Sequence, residues 1–156
     1  MAEELKDLSF STKKKFRIDG DQNRVIEIDP SDMNILVRLE DTYPKIKQLA
    51  ISASEKMSTI SEDDSLTDVA EVLRGIDTEM RKYMDYIFDA DVSAKCAPSG
   101  NMFDPTNGQF RFEHIIEVLT QLYANNITSE FKKMQDNVKK HTTKYVGNSK
   151  RNKKNV

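Results

Sequence analysis

Three residues of one Gly- and Pro-rich loop have the side chains that thiol chemistry requires. Cys96 is the only cysteine of the chain, and Asp104 and His114 follow it within 18 residues. A cysteine enzyme brings together a thiol nucleophile, a general base and an orienting carboxylate. The residue types alone therefore raise the question of an active site between residues 95 and 114.

The sequence around these residues argues against a reactive thiol. A nucleophilic cysteine is usually placed beside a base or at a helix N-terminus, where the thiolate is stabilised. Cys96 precedes Ala97 and Pro98 in a loop, and His114 falls in the first turn of a predicted helix, where the dipole disfavours a positive charge. We expect a structural loop, no catalytic residue and no enzyme activity.

Metal and cofactor sites are not expected either. The acidic segments that start at Asp19 and Asp89 begin like a calcium loop, but neither has glycine at position six or glutamate at position twelve. One cysteine and two histidines 27 residues apart make a poor zinc-ligand set. Neither a P-loop nor a dinucleotide-binding fingerprint occurs. The sequence predicts no metal and no cofactor.

The same loop is rich in tight turns and aromatic rings. Asp104-Pro105 and Asn107-Gly108 each favour a turn. Phe103, Phe110 and Phe112 are too apolar to stay together in water, since burying one such ring contributes about 1.5–3 kcal/mol. We expect the rings to hold the loop on the helices, or to form a partner-binding site where they are exposed.

Length and composition favour one helical domain. The 156 residues suffice for one core, and 32% charged residues with only five glycines suit amphipathic helices better than a Gly-rich α/β enzyme. A single cysteine forms no intramolecular disulfide, and the first ten residues lack the pattern of a secretory signal. No run approaches 18 apolar residues. We expect a cytosolic protein without a membrane span.

A β-hairpin is predicted over about residues 13–29. Two short segments flank a turn rich in Asp, Gly and Asn. Phe16 and Ile18 share one face, and the register decides whether Val25 or Ile26 lies across from them. An isolated hairpin is not stable in water, so it must pack against helices.

Three long amphipathic helical stretches follow the hairpin. Apolar residues recur at steps of three and four from Ile35 to Ile60, from Leu66 to about Phe88, and from Glu113 onward. The acidic, serine-rich segment 58–65 connects the first two stretches. The predicted fold class is therefore mainly α with a small N-terminal β-hairpin (α+β), in a single domain over residues 1–147.

Several residues predict where these helices start or break. Ser31, which follows Pro30, is the predicted N-cap of the first stretch. Pro44 has no N–H to donate and predicts a kink or break near Tyr43, with Thr42 capping a second segment. The pair Asn125-Asn126 is the predicted interruption of the third stretch.

Charge is divided unevenly along the chain. Residues 131–156 contain nine Lys or Arg and one acid, a net +8, whereas residues 1–130 carry 15 bases and 25 acids, a net −10. Residues 148–156 have no apolar face and are predicted to form a disordered basic tail. Its cations are candidates to contact an acidic partner: Lys150, Arg151, Lys153 and Lys154.

Three stretches resemble a known family. "SDMNILVRLEDTYPKI" (31–46), "YIFDADVSAKCAPSGNMFDPTNGQFRFEHIIEVL" (86–119) and "SEFKKMQDNVKKHTTKYVG" (129–147) look like the small tail assembly chaperones of long-tailed bacteriophages, or siphophages, of Gram-positive hosts. The resemblance covers roughly residues 14 to 147 and carries no catalytic signature. It implies a non-enzymatic protein that binds the tape-measure protein and keeps it soluble while the tail tube polymerises.

The resemblance also implies a location, partners and a mode of expression. The protein would act in the cytoplasm of the infected bacterium. Its partners would be the tape-measure protein, the tail tube protein, a longer frameshifted form of itself or another copy of itself. Many such proteins have a longer form made by a programmed frameshift, and "KRNKKNV" requires the A-rich codons on which ribosomes slip. The slip is a hypothesis that the gene sequence across residues 152–155 would test.

Two other functions stay open at this point. A structural tail or connector protein would remain in the virion. A small DNA-binding regulator would use the basic tail, although no basic recognition helix is apparent and only Tyr145 lies among the bases, so nucleic acid is not the expected partner.

Overall fold

Most of the chain folds into helices, and its strands form two small hairpins. The computed structural model describes the backbone of residues 3–154 and the side chains of residues 3–140. Its elements are, in chain order, β1 Lys14–Ile18, β2 Asp21–Ile28, α1 Asn34–Ser58, α2 Leu66–Phe88, α3 Ser93–Cys96, β3 Pro105–Thr106, β4 Gln109–Phe110 and α4 Arg111–Lys154. This architecture confirms the predicted fold class.

β1 and β2 pair through a two-residue turn. Asp19 and Gly20 have φ of 53° and 72°, the positive values that the favoured hairpin turn needs and that Asp and Gly tolerate. Phe16 lies opposite Ile26 in the antiparallel register. Ile26 is buried and Val25 is exposed. The register therefore turns Ile26 toward the core.

The core lies where β2, α1, α2, the loop after α3 and the first half of α4 meet. Phe88 of α2 meets Tyr123 of α4 with ring centroids 6.0 Å apart. The largest fully buried side chains are Phe88, Ile26, Ile28, Ile35, Met80, Met84, Ile87, Met102, Val92 and Pro30. Three of the chain's seven methionines, Met80, Met84 and Met102, are thus buried in the core.

α1 runs without interruption from Asn34 to Ser58 through Pro44, so of the two predicted alternatives, a kink or a break, the break is wrong. Thr42 is buried, and its hydroxyl donates a 2.7 Å hydrogen bond to the Arg38 carbonyl in place of capping a new segment. An interior proline costs about 3 kcal/mol, but Ile35 before it and Leu49 after it are both buried. Burial on both sides keeps the two halves in one helix.

The starts of α1 and α2 differ from each other. Ser31 is not the N-cap of α1, because the first helical N–H, that of Asn34, donates to the Asp32 carboxylate at 2.9 Å. Ser65 caps α2, and its hydroxyl accepts the Asp68 N–H at 3.1 Å. A real N-cap thus supports the bounds predicted for α2.

α4 is not interrupted at Asn125 and Asn126. The Asn125 side chain accepts a 2.8 Å hydrogen bond from Gln121, and the Asn126 amide donates to the Ser31 hydroxyl at 3.0 Å. Both side chains therefore find partners without competing for the helix backbone. The second of these bonds ties α4 to the start of α1.

The second half of α4 leaves the body of the protein. Its 44 residues span about 66 Å, and from residue 128 to residue 140 every side chain is exposed. The helix continues through Lys154 across most of the predicted disordered tail, 148–156, because Lys and Arg are good helix formers. The side chains of that tail lie outside the described residues.

Candidate functional site

Cys96 ends the one-turn helix α3, in surroundings that disfavour a thiolate. The side chain is half-buried. Burial raises the pKa of the Cys96 thiol above its ordinary value, and the nearby Arg24 offsets this only in part. The thiol is therefore neutral near pH 7 and a poor nucleophile.

Asp104 and His114 do not complete a catalytic group around Cys96. The Asp104 carboxylate faces Arg111 at 3.2 Å and accepts the Asn101 N–H at 3.0 Å. His114 is exposed and shares with Cys96 the lining of a cavity of about 420 Å³. The carboxylate that would orient an imidazole is thus engaged by a guanidinium.

A polar stripe on α2 holds the loop that follows α3. Asp77, Arg81 and Asp85 lie one helical turn apart on one face. Arg81 donates from Nε to Asp77 at 2.9 Å, and its terminal nitrogens donate to the carbonyls of Ala97 at 2.9 Å and Gly100 at 3.2 Å. The planar guanidinium fork therefore binds several backbone oxygens at once.

The two carboxylates of the stripe bind backbone N–H groups. Asp77 accepts the Met102 N–H at 2.7 Å. Asp85 accepts the N–H groups of Val92 at 3.1 Å and Ser93 at 2.8 Å, together with the Ser93 hydroxyl at 3.0 Å. Each charged group of the stripe is thus engaged in fixing the loop and has no evident catalytic role.

Three further arginines hold backbone carbonyls in the same way. Arg24 donates to the carbonyl of Cys96 at 3.0 Å, Arg38 to that of Ile87 at 2.6 Å, and Arg111 to that of Ser99 at 3.0 Å. Together with Arg81 they are the arginine clamps of the fold: Arg24, Arg38, Arg81 and Arg111. Arg24, Arg81 and Arg111 hold main-chain oxygens of residues 93–100, whereas Arg38 binds the C-terminal end of α2.

The aromatic residues of the loop form a compact cluster. The ring centroids of Phe103, Phe110 and Phe112 lie 5.2–5.6 Å apart. Phe103 is 3% exposed and Phe112 4% exposed, whereas Phe110 is half-buried. The rings therefore pin the loop to the helices, and of the three only Phe110 offers surface to a partner.

The other predicted partner-binding residues, Lys150, Arg151, Lys153 and Lys154, lie outside the described side chains.

An apolar groove runs between α1 and α4 and is open to solvent. It has a volume of about 260 Å³. Its lining consists of Leu39, Tyr43 and Ile46 from α1 with Phe112, Glu113, Ile116 and Glu117 from α4, and we call it the α1/α4 groove. Tyr43 is 66% exposed on its wall. Glu113 and Glu117 are exposed and make the α4 side acidic.

The projecting half of α4 carries a second apolar surface. Phe131, Met134 and Val138 are 47%, 57% and 63% exposed, and their spacing places them with Ile127 on one face. We call these four residues the α4 stripe. The steps of three and four from Glu113 onward predicted an amphipathic helix here. They did not distinguish residues that pack against the body from residues that lie beyond it.

Comparisons of the chain with protein families, with curated proteins and with solved structures found no match.

Among the described side chains, no group of three or more His, Cys, Asp or Glu is placed to hold a metal ion. No helix in the described part of the chain combines the length and apolar character needed to cross a membrane.

Proposed function

We propose that this protein is a non-enzymatic assembly chaperone that binds the tape-measure protein of a long-tailed phage. It keeps this long helical client soluble while the tail tube polymerises, in the cytoplasm of the infected host. Two lines of reasoning support the proposal. One is the resemblance of residues 31–46, 86–119 and 129–147 to tail assembly chaperones. The other is the open α1/α4 groove.

The α1 wall of the α1/α4 groove extends over about two helical turns, and its volume of about 260 Å³ is suited to the apolar anchor side chains of a client helix. Leu39, Tyr43 and Ile46 follow the spacing i, i+4, i+7 and extend over about 10 Å of α1. Amphipathic helices bind such grooves through apolar anchors at the same spacing. Leu36 is exposed one turn earlier on the same face of α1 and lengthens this wall.

The charge at the groove specifies the client segment further. Glu113 and Glu117 stand exposed beside the apolar floor. Opposite charges across an interface favour encounter and fix orientation more than they add affinity. The client segment that fits has two turns of apolar anchors with Lys or Arg beside them.

The test is co-expression with the tape-measure protein, with the soluble fraction of the client as the readout. The wild-type chain should raise that fraction. Tyr43→Glu, which places a charge on the groove wall, should abolish the gain. Leu66→Glu is the matched control, because Leu66 is 84% exposed and lies outside the groove.

The outcomes separate the alternatives. A wild-type chain without effect on client solubility would overturn the proposal. A full gain in client solubility with folded Tyr43→Glu would place client binding elsewhere than the groove. Equal loss in both variants, with both shown to be folded by circular dichroism, would show a general effect of the added charge and count against the groove as the binding site. Detection of the protein in purified virions would favour a structural tail protein.

A further inference from the structure

We propose that the N-terminal arm of this chain, residues 3–10, turns back along β1 and docks in the cavity that Cys96 and His114 line. In the structure the arm lies in solvent, ahead of the first strand. Its large apolar side chains, Leu5, Leu8 and Phe10, are 96%, 78% and 85% exposed. An apolar segment of this kind requires a partner surface, and the cavity provides one within the same molecule.

The cavity has an apolar side and a polar side. Its volume of about 420 Å³ lies within the range of ligand pockets. Ile18, Ile115 and Val118 supply the apolar side. On the polar side, Gln109 and His114 form no side-chain hydrogen bond with any described residue. Such a site fits a peptide segment that carries both apolar and polar side chains.

Arg17 brings an unpaired positive charge to this cavity. Two other charged residues of the lining are engaged, since Asp19 faces Arg24 at 3.1 Å and Arg111 faces Asp104 at 3.2 Å. The Arg17 side chain is exposed and forms no ion pair with a described residue. A segment that brings a carboxylate therefore complements the cavity.

The arm carries the opposite charge. Residues 3–10 contain three acids and one base, a net −2. β1, along which the arm would run, contains Lys14, Lys15 and Arg17. The α1/α4 groove suits the arm poorly, because the exposed Glu113 and Glu117 beside it repel an acidic segment. Charge thus favours the cavity over the groove.

The position of Thr12 decides which residue of the arm meets Arg17. The Thr12 hydroxyl donates a 2.7 Å hydrogen bond to the Asp29 carboxylate and holds the base of the arm. Arg17 follows Thr12 by five residues, a distance of about 17 Å along an extended chain. Asp7 precedes Thr12 by the same five residues. An arm that turns back at Thr12 therefore brings Asp7 level with Arg17.

The outer edge of β1 is open to the arm. In the described part of the chain, β1 pairs with β2 alone, and an extended peptide adds to such an edge through main-chain hydrogen bonds. Leu5 shares a face with Asp7 in an extended arm and comes level with Asp19, which also lines the cavity. The short connection keeps the arm at high local concentration, so we expect docking within one molecule.

Paramagnetic relaxation in the full-length protein tests the docking. A nitroxide is attached at Ser9→Cys in a Cys96→Ala background, so that each molecule carries one label. Docking should remove most of the intensity of the amide signals of Ile115 and Val118, and this loss should persist on dilution. An arm that stays in solvent leaves both signals at full intensity.

Charge variants of the labelled protein test the pairing of Asp7 with Arg17. Arg17→Asp should restore the amide intensity, because it places like charges together. The control Lys47→Asp changes an exposed lysine of α1 outside the cavity and should leave the loss unchanged. Adding Asp7→Arg to Arg17→Asp re-creates the pair in reverse and should bring the loss back. Circular dichroism confirms that each variant is folded.

Four results would overturn the inference. They are full amide intensity in the labelled protein, equal effects of Arg17→Asp and Lys47→Asp, no return of the loss in the charge-reversed pair, and a loss that disappears on dilution. The last result would show that the arm of a second molecule fills the cavity. Client solubility in co-expression is a separate readout, so failure here leaves the chaperone proposal to its own test.

Discussion

Replacing Gly100 by alanine tests whether the loop after α3 is held as tightly as its contacts indicate. Gly100 has φ +88°, a conformation that costs an L-residue about 1–2 kcal/mol. A Cβ at this position would lie 2.7 Å from Arg111 Nη1 and 2.8 Å from Asp104 Oδ2. The substitution therefore strains the backbone and pushes apart an ion pair.

The expected cost follows from these two effects. The Arg111 and Asp104 side chains are 35% and 39% exposed, so displacing their pair adds only about 0.5–1 kcal/mol. The sum is about 1.5–3 kcal/mol of unfolding free energy. For a chain of this size, that corresponds to a fall in Tm of about 3–12 °C.

Two other glycines serve as controls for the same substitution. Gly20 has φ +72° and nothing within 4 Å of the added Cβ, so alanine there adds backbone strain alone, about 1–2 kcal/mol. Gly75 lies inside α2, also with nothing within 4 Å. Gly75→Ala should stabilise the protein by about 1 kcal/mol, because alanine is the better helix former.

Urea denaturation followed by circular dichroism measures all three variants. The midpoint should fall most for Gly100→Ala, less for Gly20→Ala, and should rise for Gly75→Ala, with unchanged slopes. Equal midpoints for the variants at Gly100 and Gly20 would show that the close approach to Arg111 has no energetic consequence. A lower midpoint for Gly75→Ala would refute the reading of that position as open.

Three further predictions concern other parts of the site. Arg81→Lys should lower stability by about 1–3 kcal/mol in urea denaturation, because a lysine ammonium cannot reach all the oxygens that the guanidinium binds. Burial raises the pKa of Tyr123 from 10.0 to about 12, so stability should be lost as pH rises from 10 to 12. Tyr123→Phe should lose less over that window, and an equal loss would point to other groups. Cys96 should react with a maleimide more slowly in the folded protein than in urea, and Cys96→Ala should still keep the client soluble; loss of that activity in a folded variant would reopen thiol chemistry.

The hairpin and α2 could be predicted from local patterns because local chemistry decides them. The Asp19-Gly20 turn supplies two residues that accept positive φ, and Ser65 is a true N-cap. In both places the sequence signal and the contact that stabilises the element lie within a few residues of each other. Such signals need no knowledge of the tertiary structure.

The errors occurred where distant contacts override local preference. Pro44 predicts a break, but burial of Ile35 and Leu49 on either side keeps α1 whole. Asn126 predicts an interruption, but its amide bonds the hydroxyl of Ser31, 95 residues away. No pattern of single-residue preferences reports such contacts.

The candidate site was missed for a related reason. Periodicity identified apolar faces on α1 and α4 but did not show how much of each face the neighbouring helices cover. Tyr43 belongs to the apolar face of α1 and is nevertheless mostly exposed. An apolar face that exceeds the area its neighbours bury is visible only in three dimensions.

The arginine clamps have a consequence for which substitutions the loop can tolerate. Arg24, Arg81 and Arg111 donate hydrogen bonds to main-chain carbonyl oxygens of residues 93–100, and every amino acid has such an oxygen. Exposed side chains such as those of Pro98 and Ser99 can therefore be exchanged without loss of these hydrogen bonds. This surface is a place where new side chains, an affinity tag or a cross-linker can be introduced, while the guanidinium groups beneath it must stay.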